Sequence, residues 1–113
     1  MESESALDYT EVLRRLAIND EHFAEDCVTG TGAQSVELDP RTLALVRLAA
    51  LVAAGGAEPS YGAATDAALS AGASTAEIVA VLVGIVSVVG VPSVVAAAPC
   101  LAMALECDIE DAR

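Results

Sequence analysis

Residues 67–78 read AALSAGASTAEI. An alanine-rich run stops at Gly72, the residue type that most readily takes the left-handed conformation closing a helix. Ser74 and Glu77 follow in the S-x-x-E spacing of a capping box, where each side chain satisfies the other's free backbone amide at a helix start. One helix therefore ends and another begins within a few residues.

The same punctuation recurs on both sides. Asp39-Pro40 pairs a capping acid with proline at the first helical position, and the helix it opens, RTLALVRLAALVAA, runs into Gly55-Gly56. Pro59 opens the helix that ends at Gly72. EIVAVLVGIVSVV runs from the capping box to Gly90, and its many β-branched residues require burial on several sides to hold it helical. Pro92 opens a last helix, expected to reach about Glu106 with a kink at Pro99.

Upstream, Leu7, Val12, Leu13 and Leu16 fall near one face of a helix over residues 5–17. Asn19 or Asp20 is placed to cap a second helix through about Cys27, with acids in its first turn suiting the positive helix end. VTGTGAQSVE, residues 28–37, reads as a loop. The expectation is an all-α bundle of about six helices in one domain over residues 1–113, with N-terminal helices over 1–37 and a core over 38–107.

Composition narrows the partners. The chain has 113 residues, 55% hydrophobic but only 3% aromatic, and a net charge of −12. A domain this small leaves much of its surface in water, so such a composition exposes apolar patches, which mark interfaces. A homo-oligomer is expected. There is no lysine, and the five arginines face seventeen acids, so phosphate backbones and anionic membranes would repel the chain. No nucleic-acid partner is expected.

From Ile78 to Leu105 no residue is charged, a run long enough to span a bilayer. Gly90-Val91-Pro92 splits it into pieces of about 14 residues, the length of buried core helices. No Lys or Arg flanks it closely and no aromatic belt borders it, so no membrane span is expected. The N-terminus MESESALDYT lacks a basic start and an early apolar run, so it does not read as a signal peptide. Three widely spaced cysteines do not form a disulfide framework, and a reducing cytoplasm is the expected location.

The order of signals from Leu38 to Leu105 resembles the carboxymuconolactone decarboxylase family, which includes the AhpD-like alkylhydroperoxidases. The residues carrying the resemblance are Leu38-Asp39-Pro40, the Ala71-Gly72-Ala73-Ser74 corner, Glu77-Ile78 and Gly90-Val91-Pro92. The resemblance implies an all-α, AhpD-like fold assembled as trimers or hexamers. In the AhpD-like branch it also implies thiol chemistry from a Cys-x-x-Cys-x-x-x-His motif on the fourth helix and a glutamate on the third.

This chain departs from that motif. Counted back from Gly72, the cysteine positions fall on Ala57 and Ser60 and the histidine position on Ala64. Counted forward from Leu38, the glutamate position falls on Ala44. Moving the gap shifts the fourth-helix matches to Gly56, Pro59 and Ala63, again without cysteine or histidine. The decarboxylase branch keeps a histidine on this helix, and that is missing too. Only Glu77 matches, in a capping role.

The remaining polar residues supply the candidates. Arg47, the lone charge in an otherwise apolar helix, reads as a subunit salt bridge or the anchor of a carboxylate ligand. Ser60, Tyr61, Thr65 and Asp66 are the polar groups of the fourth helix. Tyr61 and Ser60 are catalytic candidates, Thr65 and Asp66 ligand-binding ones, and packing or capping is the competing role for each. His22, with Asp26 one turn on, is a candidate acid or base, against a plain surface histidine on an acidic helix. No tight metal-ligand motif is present, no serine nucleophile elbow exists, and no cofactor is expected.

Cys100 and Cys107 lie about 10 Å apart along one helix, too far for a bridge. Cys100 reads as buried and inert, Cys107 as disfavoured for thiolate by flanking acids, and Cys27 as reaching either only through tertiary contact. The expected function is non-redox: binding, or lyase or isomerase chemistry, on a small carbonyl or lactone compound. The alternatives are an inactive interaction subunit and a peroxidase using the non-motif cysteines.

Overall fold

A computed structural model describes residues 9–29 and 38–106. Six helices account for most of them, with no strand among the described residues. The start of the first helix before Tyr9, residues 30–37 of the expected loop, Cys107 and the acidic C-terminal residues lie outside the described residues. The chain divides into two compact units, Met1–Glu37 and Leu38–Arg113.

In the first unit, α1 (Tyr9–Ala17) packs on α2 (Glu21–Thr29). Asn19 and Asp20, both candidates for one cap, do different jobs. Asn19 takes φ +59° and ends α1, its N–H donating to the Leu16 carbonyl while the Asp20 N–H reaches the Arg15 carbonyl. That bond pair is a Schellman closure. The Asp20 side chain then accepts from the Phe23 N–H at 3.1 Å and starts α2. Val28 and Thr29 belong to α2 and not to a loop, since no breaker precedes Gly30. On α1, Glu11 receives hydrogen bonds from Arg14 and Arg15, which pull its carboxyl down to about 2.

The second unit holds α3 (Pro40–Ala54), α4 (Glu58–Ser70), α5 (Thr75–Val89) and α6 (Val91–Ala104). Each contributes to one core at helical spacing. Leu48 and Val52 come from α3, Tyr61, Thr65 and Ala68 from α4, Ile78 and Leu82 from α5, and Ala97 and Leu101 from α6. Burying a side chain the size of Leu48 or Ile78 contributes roughly 1.5–3 kcal/mol. α4 packs most extensively on α6 and α3, and the fully buried Ala68 and Ala97 leave room for close helix approach.

The caps follow the sequence signals. The Asp39 carboxylate accepts from the Thr42 N–H, and its hydrogen bonds from Thr42 hold it below the usual range. α4 begins at Glu58, one residue before the Pro59 start, because proline fits any position of the first turn. At the corner, Gly72 takes φ +104°, its N–H donates to the Leu69 carbonyl, and the Ala73 N–H donates to the Ala68 carbonyl. The left-handed residue is therefore the one after the cap Ala71, in a second Schellman closure whose two apolar partners, Ala68 and Ala73, are both buried.

Both halves of the Ser74–Glu77 capping box form, at 2.9 and 3.0 Å. The other Glu77 oxygen takes a hydrogen bond from the Arg41 guanidinium, which ties the start of α5 to the start of α3. The Ser74 backbone N–H, then Arg41, hold the Glu77 carboxyl below its ordinary value. α6 runs through Pro99 and ends at Ala104, two residues earlier than expected, where Glu106 turns to φ +60°. Among the described residues no helix is long and apolar enough to cross a membrane.

Candidate functional site

An open groove of about 460 Å³ lies between α3 and α4. Pro40, Leu43, Ala44 and Arg47 line it from α3, and Ala63, Ala64 and Ala67 from α4 with its cap residue Ala71. Both sets follow helix geometry. Positions 40, 44 and 47 share one side of α3, and 63, 67 and 71 share one side of α4. The lining is hydrocarbon except for Arg47, which makes no ion pair among the described residues. Its volume falls in the range of small-molecule sites.

The candidate residues separate in this frame. Arg47 is exposed and lines the groove. Tyr61 and Thr65 do not line it. Both side chains are buried in the core of the second unit. The Tyr61 hydroxyl accepts the Gly56 N–H at 3.1 Å, which pins the α3–α4 connection onto α4. The Thr65 hydroxyl donates to the Tyr61 carbonyl at 2.7 Å. Both buried polar groups are thus satisfied internally.

Ser60 and Asp66 are exposed on α4 and absent from the lining. His22 is exposed on α2, and Asp26 on the same helix is half-buried. Cys27 is exposed on α2, and Cys100 is half-buried against the core of the second unit, both as free thiols. Among the described residues no group of three or more His, Cys, Asp or Glu stands ready to hold a metal ion. Displaced carboxyl pKa values are frequent at functional sites, but those of Glu11, Asp39 and Glu77 belong to helix caps and exposed ion pairs. None of the three lines the groove.

Leu43 and Ala67 were not singled out in the sequence, and Ala63 and Ala71 entered only as a motif position and as part of the corner. Their signal was available as spacing: Ala63, Ala67 and Ala71 repeat every four residues, and Leu43 stands one turn before Arg47.

Four helices punctuated by Asp39-Pro40, the Gly72 corner and Gly90-Val91-Pro92, with a groove between the first two, make an all-α unit of the kind the resemblance implies. The carboxymuconolactone decarboxylase family model matches residues 22–103, and the chain belongs to that family. The match begins on α2 and takes in α3, α4, α5 and nearly all of α6. No curated protein and no solved structure shows significant similarity to the chain.

Within that family frame, Ala44 stands at the position the resemblance assigns to glutamate. Ala64, or Ala63 in the shifted register, stands at the histidine position. All three line the groove. The positions assigned to cysteine, Ala57 and Ser60 or Gly56 and Pro59, do not.

Proposed function

We propose that the α3–α4 groove is the family's reaction centre, emptied of its catalytic groups and kept as a binding site for a small apolar carboxylate of the carbonyl or lactone type. Arg47 carries the reading. It is a guanidinium with no ion pair among the described residues, beside a wall of Ala, Leu and Pro. Its planar fork of donors matches a carboxylate, and the hydrocarbon wall takes the ligand's apolar body.

The same lining favours capture over chemistry. Alanine at positions 44, 63 and 64 neither gives nor takes a proton. A lyase or isomerase step would need an acid or base that the lining does not supply. Cys27 and Cys100 are not among the lining residues, so a peroxidase use of the groove finds no support in them.

The reading is tested by calorimetric titration of the full chain with hexanoate and benzoate, with hexanamide as the neutral control. Both carboxylates bind and the amide binds more weakly. Arg47→Gln weakens carboxylate binding about tenfold, the lower end for a charge-assisted hydrogen bond because the guanidinium is exposed. Equal affinity in the variant, or no carboxylate binding by the wild type, overturns the reading. No hydroperoxide turnover accompanies binding.

A second reading, self-association as a trimer or hexamer, is supported by the exposed valines of α5 and α6. The free thiols and the acidic surface fit a cytoplasmic setting for such an assembly.

A further inference from the structure

We infer that copies of this chain meet through the uncharged outer face of α5 and α6; the inference rests on the self-association reading and assigns it a surface. α5 and α6 are packing neighbours, and each presents large apolar residues to solvent beside its core-facing positions. Val79 and Val83 lie one turn apart on α5, while Val91, Val95 and Met103 share one side of α6. Val83 is 70% exposed and Val95 61%. No charged residue occurs between Glu77 and Glu106 to break this surface.

Area and charge together select the occupant. A side chain of this size buries on the order of 100 Å², so these five, about three-fifths exposed, offer roughly 300 Å². The exposed Ala, Gly, Ser and Pro positions between them extend the patch toward the ~800 Å² that a stable interface buries on each partner. The chain carries a net charge of −12, so two copies repel wherever their acids face each other. The α5–α6 face brings no acid to the contact. An anionic lipid surface is disfavoured by the same charge, with no lysine to offset it.

The test is the molar mass of the full chain by sedimentation velocity across a hundredfold concentration range, repeated for Val83→Glu, Val95→Glu and, as a control on α3, the exposed Val46→Glu. The wild type sediments as an oligomer. The α5 and α6 variants sediment as monomers with unchanged far-UV circular dichroism, since both sites face solvent in the single chain, and the α3 control stays assembled. An oligomer that survives both α5 and α6 substitutions, or that only the α3 substitution breaks, overturns the assigned face and leaves self-association standing. A wild type that is monomeric throughout overturns both, and its flotation with phosphatidylcholine vesicles would reassign the face to lipid.

Discussion

Replacing Tyr61 by Phe separates a structural role from a catalytic one. The ring is 5% exposed and packs in the core of the second unit, and the substitution leaves that packing intact. What is lost is one hydrogen bond, from the Gly56 N–H to the hydroxyl at 3.1 Å. A neutral hydrogen bond contributes about 0.5–1.5 kcal/mol net, and more only when its abandoned partner stays dry. Gly56 is half-buried, so water can reach its amide and the cost should sit near 1 kcal/mol.

For a unit of this size that corresponds to a fall in melting temperature of about 4–8 °C. The assay is thermal unfolding by far-UV circular dichroism, run beside carboxylate titration of the same preparation. The expected result is the melting shift with ligand affinity unchanged, because Tyr61 is buried in the core and is not among the residues lining the groove. A variant that melts like the wild type but no longer binds would refute this reasoning and return Tyr61 to the site.

Other predictions address the core, the corner and the caps. Leu48→Ala empties a fully buried position and should lower stability by about 2–5 kcal/mol in urea unfolding. Gly72→Ala meets no atom with its new Cβ, so its cost, roughly 1–2 kcal/mol measured the same way, comes from forcing φ +104° on an L-residue. Acid should loosen the second unit, because Glu77 and Asp39 titrate below their unfolded values of 4.5 and 3.8. Their contribution is complete above those values and is lost as pH falls through the lowered folded ones. Urea midpoints followed from pH 6 to pH 3 should therefore drop, and drop less in Glu77→Gln.

Much of the second unit was legible as punctuation. Asp39-Pro40, Gly72, the Ser74–Glu77 box and Gly90 each act on the backbone within a few residues, so the sequence displays them directly. The Arg41–Glu77 tie was not legible, because it joins residues that only the packing of α3 against α5 brings together. The site was half legible. Arg47 stood out as a lone charge on an apolar helix, and counting along the chain placed the family's histidine and glutamate positions on alanines.

Tyr61, Ser60, Thr65 and Asp66 drew attention because they are the polar residues of α4. Yet the helix turns Tyr61 and Thr65 into the core, where their hydroxyls serve the backbone. The groove is made instead of alanines, which carry no chemical signal in a sequence. Only their four-residue spacing, matched to the 40-44-47 side of α3, records that a surface is being left open.

The most direct test of the groove as a ligand site is amide chemical-shift mapping of the full, isotope-labelled chain during titration with hexanoate. Saturable shifts are expected at Leu43, Ala44, Arg47, Ala63, Ala64 and Ala67, with their loss in Arg47→Gln. Shifts that cluster on α5 and α6 or around His22, or that persist unchanged without the guanidinium, would contradict it.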